Sequence, residues 1–268
     1  MLWNAINGEV SIGNTKMAYA RFGHGERTLV ILPGLSDGLA TVRGKALILA
    51  KPYSLFFDQF TVYMFSRKDE MPAGHSIREM AADQAEALRQ LGIKKASVLG
   101  VSQGGMVAQY LAIDYPELVE KLVLAVTAPY ASDLIRANVS VWITFAKYGF
   151  HKGLMIDTAE KSYSPAMLKK YRKIYPIIGL IGKPAKYDRF LANAQAILGF
   201  DAYDELKHIS CPTLIIGGQM DRIVGMQASY EILSQIADGE IYVYPGLGHA
   251  AYEEAKDFNQ RVFEFLKR

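Results

Sequence analysis

The chain carries a single cysteine, no long apolar run and almost no net charge, and each lack removes a class of protein. Cys211 alone can close no internal disulfide and is too few for a structural zinc site, so it reads as a small buried apolar residue. No stretch approaches the roughly 18 to 20 apolar residues of a membrane span. The start MLWNAINGEV also lacks the basic region and apolar run of an export signal, so a cytoplasmic protein is expected. Thirty Lys and Arg against 27 Asp and Glu leave a charge of +3, too little to imply a nucleic-acid partner. With 50% hydrophobic and 21% charged residues, the 268-residue chain has an ordinary globular composition. It shows no tandem repeat or low-complexity linker, and neither a cofactor nor a metal is expected.

What is present is an alternation of strands and helices. The stretch GEVSIGNTKMAYARFG reads as a β-hairpin around a Gly-Asn turn. Short apolar runs follow at 28–32, 60–65, 96–99, 122–127, 213–216 and 241–244, the pattern of buried parallel strands. Helical spacing lies between them, clearest over 77–91, where Met80, Ala81, Gln84, Ala87, Leu88 and Leu91 share a face and Gly92 follows as a stop. This order predicts an α/β fold, a mostly parallel central sheet with helices on both faces and ligands at the carboxyl ends of its strands. The alternation breaks once. From Tyr130 to about Glu205 there is no strand-like run, and helix-like stretches at 139–148 and 164–174 point to a helical cap inserted between core strands. The expected organisation is core at 1–129, cap at 130–205 and core again at 206–268.

The chemistry concentrates at KKASVLGVSQGGMVAQYLAIDYP, where a buried strand runs into Gly100-Val101-Ser102-Gln103-Gly104 and a helix begins at once. GxSxG alone is a weak signal; between a strand and a helix it is a nucleophile elbow. The serine sits on a strained turn, and side chains two positions to either side would collide with neighbouring backbone. A serine hydroxyl needs a neutral imidazole to take its proton, and the imidazole needs a carboxylate to orient it. Of five histidines, His249 follows the last strand in YVYPGLGHAAYEEA, on the carboxyl edge of the sheet, and is the expected base. His24, His75, His151 and His208 stand in turns, helix starts, the insertion or a strand lead-in. Asp221 in TLIIGGQMDRIV lies on the same edge and is the expected acid, with Asp133 as its rival; Asp201 and Asp204 read as solvated residues at the insertion's exit.

These motifs, together with TLVILPGLSDG and GHSIREMAADQAEAL, resemble the α/β-hydrolase superfamily, in its lid-bearing group of esterases, enol-lactonases, carbon-carbon bond hydrolases and perhydrolase-like enzymes. The resemblance covers nearly the whole chain outside the insertion. It implies that Ser102 is the nucleophile, Asp221 the acid and His249 the base. It also implies an oxyanion hole made by the amide of Gln103 and one in Pro33-Gly34-Leu35-Ser36, with Leu35 or Ser36 as the donor and Leu35 preferred. Two departures stand out: Pro33-Gly34 replaces a frequent His-Gly, and FSRKDEMPAGHS replaces the usual Asp-x-Arg-Gly type turn. The implied activity is hydrolysis of a small carboxylic ester or lactone through an acyl-enzyme on Ser102. Perhydrolysis or carbon-carbon bond hydrolysis with the same residues, and a low-turnover ligand-binding or signalling protein on the same fold, remain as alternatives.

The insertion differs in charge from its flanks. Residues 130–200 hold 11 Lys or Arg against 4 Asp or Glu, an excess of +7. The cluster Lys169, Lys170, Arg172 and Lys173 could draw an anionic substrate or merely form a solvated helix face. Trp142, Phe145, Tyr148, Phe150, Tyr163, Tyr171, Tyr175 and Tyr187 offer aromatic surface for an apolar acyl or alcohol group or else pack within the lid, and Trp142, Phe145 and Tyr148 are the pocket candidates.

Overall fold

A computed structural model describes residues 2–268. Eight strands form one sheet: β1 (Ile6–Ile12), β2 (Thr15–Gly23), β3 (Arg27–Leu32), β4 (Phe60–Phe65), β5 (Ala96–Val101), β6 (Val119–Ala125), β7 (Thr213–Gly218) and β8 (Gly239–Tyr244). Their order is β1-β2-β4-β3-β5-β6-β7-β8, with β2 antiparallel to β1 and β4 and every other neighbouring pair parallel. The helices are α1 (Ala46–Ala50), α2 (Ile77–Gln90), α3 (Gln103–Asp114), α4 (Asp133–Lys147), α5 (His151–Ser162), α6 (Pro165–Tyr171), α7 (Asp188–Leu198), α8 (Gln227–Gln235), α9 (Ala251–Glu254) and α10 (Phe258–Lys267). Among the described residues no helix is long and apolar enough to cross a membrane.

The central strands are apolar on both faces because both are covered. Val30 and Leu32 of β3, Leu122 and Leu124 of β6 and Ile215 of β7 join one core with α2, α3, α8 and residues of the insertion. Their neighbours Leu29, Ile31, Val123, Ala125, Leu214 and Ile216 join a second core with α1 and α10. Helix α2 starts at a capping box, in which the Ser76 hydroxyl accepts from the Glu79 N–H and the Glu79 carboxylate accepts from the Ser76 N–H.

Helices α4 to α7 lie between β6 and β7, so the strand-free stretch of the sequence is a helical insertion between core strands. Several boundaries differ from the sequence expectation, and two of them have a visible cause. The sixth strand covers 119–125 instead of 122–127, because Val126 turns out of it at φ 44°. Helix α4 begins at Asp133, six residues before the expected 139, because Ser132 caps its first turn by accepting from the Ile135 N–H at 3.4 Å.

Candidate active site

The elbow is built by close backbone approach. Ser102 stands between β5 and α3 at φ 52° and ψ −120°, a conformation that L residues rarely adopt, and its N–H donates to the Ala125 carbonyl at 2.9 Å. A Cβ on Gly100 would stand 2.5 Å from the Gly104 carbonyl oxygen, and one on Gly104 would overlap the Leu32 carbonyl. The Thr127 hydroxyl then donates to the Ser102 carbonyl at 2.7 Å, which holds the turn from the β6 side. Thr127, the last residue of the expected sixth strand, therefore braces the Ser102 turn, while the Val126 N–H still donates to the Ile216 carbonyl of β7 at 2.7 Å.

Three loops at the carboxyl ends of β5, β7 and β8 bring Ser102, Asp221 and His249 together. His249 Nε2 lies 2.9 Å from Ser102 Oγ, and His249 Nδ1 lies 2.7 Å from Asp221 Oδ2. A carboxylate only accepts, so Nδ1 carries the proton and Nε2 keeps the lone pair that faces the serine hydroxyl. Asp221 is 7% exposed, and its other oxygen accepts from the N–H groups of Ile223 at 2.8 Å and Val224 at 3.0 Å. Burial opposes the charge of this carboxylate, but His249 and the two amides outweigh it and hold the carboxyl below its ordinary range.

The other candidates fall elsewhere. Asp133 is exposed on the first turn of α4. Asp201 caps the Tyr203 N–H at 3.1 Å. His75 pairs with Asp83 at 2.8 Å, His151 faces the Ile181 carbonyl at 2.9 Å, and His24 meets Asp58 on the surface at 3.4 Å.

Gln103 and Leu35 each open a helical turn, so no preceding turn takes up their N–H groups. The turn Leu35–Gly38 lies against Ser102, since a Cβ on Gly34 would stand 3.3 Å from Ser102 Cβ. A network absent from the sequence expectation holds this region. The Asp37 carboxylate accepts from the Arg67 N–H at 2.9 Å and from Arg189 Nη2 at 2.5 Å. Arg67 Nη2 donates to the Pro33 carbonyl at 2.6 Å, and Gln103 Nε2 donates to the Asn193 carbonyl at 2.7 Å. Burial pulls the Arg67 guanidinium down to about 10 against the pull of Asp37, with Arg189 adding to the lowering, so it stays charged near neutrality. The network joins the Pro33-Gly34-Leu35 loop, Gln103 and α7 of the insertion. The unusual turn FSRKDEM was its only mark in the sequence, because it supplies Arg67.

A cavity of about 250 Å³ opens over Ser102 and His249. Its wall is mostly apolar, with Met106, Val139, Leu154, Phe190 and Val224 among its side chains, and Leu35 and Ser36 beside the serine. Trp142 lines it and is fixed by Nε1 donation to Asp157 at 2.7 Å. Phe145 and Tyr148 do not line it. The buried side of α4 runs through Ile135, Asn138, Val139, Trp142, Ile143 and Ala146, whereas Phe145 sits off that stripe, edge-on to Phe150 at 5.4 Å. Tyr148 follows the helix end and is 85% exposed. Among the described residues no Lys or Arg lines the cavity. Its one carboxylate is Glu253, which accepts from the Tyr163 hydroxyl at 2.6 Å. Burial first, and then Glu253, raise the Tyr163 phenol well above its ordinary range. The basic cluster, open in the sequence between steering an anionic substrate and forming a solvated helix face, faces outward: Lys169, Lys170 and Lys173 are exposed, and Glu160 holds Arg172 through two bonds of 2.8 and 2.7 Å.

A sequence profile of the alpha/beta hydrolase family matches residues 17–261. Over 189 residues the chain is 30% identical to a 2-hydroxy-6-oxononadienedioate/2-hydroxy-6-oxononatrienedioate hydrolase of a Pseudomonas species, a match that covers 67% of this chain and 65% of that one. The chain thus spans just under two thirds of that relative. A 3-oxoadipate enol-lactonase 2 of Acinetobacter baylyi is 22% identical over 93% of this chain and 92% of its own. Among solved structures, an alpha/beta hydrolase enzyme from a Medee basin deep-sea metagenome library superposes with a TM-score of 0.83 at 20% identity, covering 97% of this chain and 98% of that one.

Proposed function

Because this chain belongs to the alpha/beta hydrolase family, we propose that it is a serine hydrolase of small, uncharged carboxylic esters or lactones. The observation that carries this reading is the hydrogen-bonded relay from Ser102 through His249 to Asp221, at the base of an apolar cavity. Ser102 Oγ attacks the carbonyl carbon as His249 Nε2 takes the hydroxyl proton, and Asp221 stabilises the imidazolium. The N–H groups of Gln103 and Leu35 receive the developing oxyanion, each contributing about 10²- to 10³-fold in rate. The imidazolium returns the proton to the leaving oxygen. His249 then takes a proton from a water that attacks the acyl carbonyl carbon, and the imidazolium returns that proton to Ser102 Oγ as the Oγ–acyl bond breaks and the acid leaves.

The charge of the cavity narrows the substrate class. Dioate and oxoadipate relatives act, by their names, on molecules that carry carboxylates. In this chain a carboxylate on the substrate would enter a mostly apolar space that has no cation and one glutamate. The test compares nitrophenyl butyrate with nitrophenyl hemisuccinate, which have matched acyl lengths. The expected kcat/KM is at least about 10-fold higher for the butyrate, since desolvation of a carboxylate and its repulsion by Glu253 both weigh against the hemisuccinate. Equal rates, or a preference for the hemisuccinate, would remove the uncharged-substrate part of the reading. Failure of both esters, with no labelling of Ser102 by a fluorophosphonate, would remove the hydrolase reading itself.

A further inference from the structure

Away from the cavity, the insertion exposes a group of large apolar side chains. Ile174, Ile177, Leu180 and Ile181 are 37%, 54%, 81% and 46% exposed, and the turn between α4 and α5 adds Tyr148 at 85% and Phe150 at 53%. The two segments that carry them meet at the start of α5. The turn at Ile178–Leu180 packs on the start of α5, where the position a Gly179 Cβ would take is 2.9 Å from Lys152 Cβ. Buried His151, the first residue of α5, holds the Ile181 carbonyl at 2.9 Å, which sets Leu180 and Ile181 beside Phe150. Single exposed apolar residues are ordinary, but the meeting of the 177–181 turn with the 148–150 turn gathers several of them on one face of the insertion, of the kind that covers itself with a partner.

Charge says which partner. Lys147, Lys152, Lys173, Lys183 and Lys186 come from the same two segments and are all exposed, and among the described residues none of the five pairs with a carboxylate. Exposed apolar side chains interspersed along the chain with unpaired lysines match an anionic bilayer, with the apolar groups below the headgroups and the ammonium groups at the phosphates. A second copy of the chain fits worse, because a two-fold contact through this face would set one lysine rim against the other.

We propose that this face of the insertion docks the protein peripherally on an anionic lipid bilayer. Tyr171 and Ile178, in the same stretch of chain, line the cavity, so the docked face continues into the cavity wall. The docking stands independently of the hydrolase reading; supply of an apolar ester from the lipid phase rests on it.

Co-sedimentation of the full chain with vesicles tests the proposal, using phosphatidylcholine alone and phosphatidylcholine with about 30% phosphatidylglycerol at physiological salt. Binding is expected on the mixed vesicles and much less on phosphatidylcholine. The double substitution Ile177→Asp with Leu180→Asp is expected to lower the partition coefficient about 100-fold. Lys152→Glu with Lys183→Glu is expected to weaken binding on the anionic vesicles alone. Hydrolysis of a water-soluble nitrophenyl ester and a thermal melt show that each variant is folded and report separately on the active site. Equal sedimentation of wild type and Ile177/Leu180 variant overturns the proposal, as does no sedimentation on anionic vesicles. A wild-type dimer in solution that the aspartates convert to monomer, with no vesicle binding, also overturns it and assigns the face to contact between copies.

Discussion

Ser102→Ala is expected to lower kcat for a nitrophenyl ester by about 10⁶-fold, the scale of loss when a triad serine is removed. The change deletes one oxygen, whose observed partner is His249 Nε2 at 2.9 Å, and it keeps the Cβ that the elbow already accommodates. The backbone at φ 52° is no more strained with alanine than with serine, so the melting temperature should stay within a few degrees of wild type. His249→Ala should cost a similar amount. The double variant should lose little more than either single one, because the relay acts as a unit and its losses do not add. Labelling by a fluorophosphonate should vanish with the serine. A reduction of only a few-fold in the single variant, measured with the fold intact, would show that another group forms the covalent bond and would undo the role given to Ser102.

The parts of the site closest to the backbone were legible in the sequence. Gly100 and Gly104 flank Ser102 at the spacing the turn demands, and the apolar runs before Asp221 and His249 place both at carboxyl ends of parallel strands. Local pattern suffices there because each constraint acts within a few residues. Where the site recruits residues for a second purpose, the pattern misleads. Thr127 reads as strand but, after Val126 turns at φ 44°, it bonds the Ser102 carbonyl and holds the elbow. The aromatic residues of the insertion were read by type alone, and type does not separate Trp142 from Tyr148. The helical stripe of Ile135, Val139, Trp142 and Ala146 does separate them, and it was readable at 3.6-residue spacing. The Asp37–Arg189 pair joins positions 152 residues apart, and no local pattern announces it.

That pair sets the second large effect, on stability. Asp37 is 3% exposed and bonds both the backbone N–H of Arg67 and the guanidinium of Arg189. Arg67 is 5% exposed, and its Nε and Nη1 have no hydrogen-bond partner among the described residues. Asp37 is therefore the countercharge for two cations, one fully within the fold and one on the insertion. Asp37→Ala leaves both uncompensated, and breaking a buried pair in this way costs about 3 to 5 kcal/mol. In a chain of this size that corresponds to a drop of roughly 10 °C in melting temperature. Asp37→Asn keeps an acceptor for the Arg67 N–H while removing the charge, so it should fall between wild type and alanine. Because Arg67 also holds the Pro33 carbonyl, beside the proposed donor Leu35, the alanine variant should lose kcat more than it raises KM, measured well below its own melting point. A double-mutant cycle with Arg189→Met should return a coupling of about 1 to 3 kcal/mol. If Asp37→Ala melts within about 2 °C of wild type, the cations are solvated well enough to need no partner, and the network does not clamp the insertion to the Pro33-Gly34-Leu35 loop.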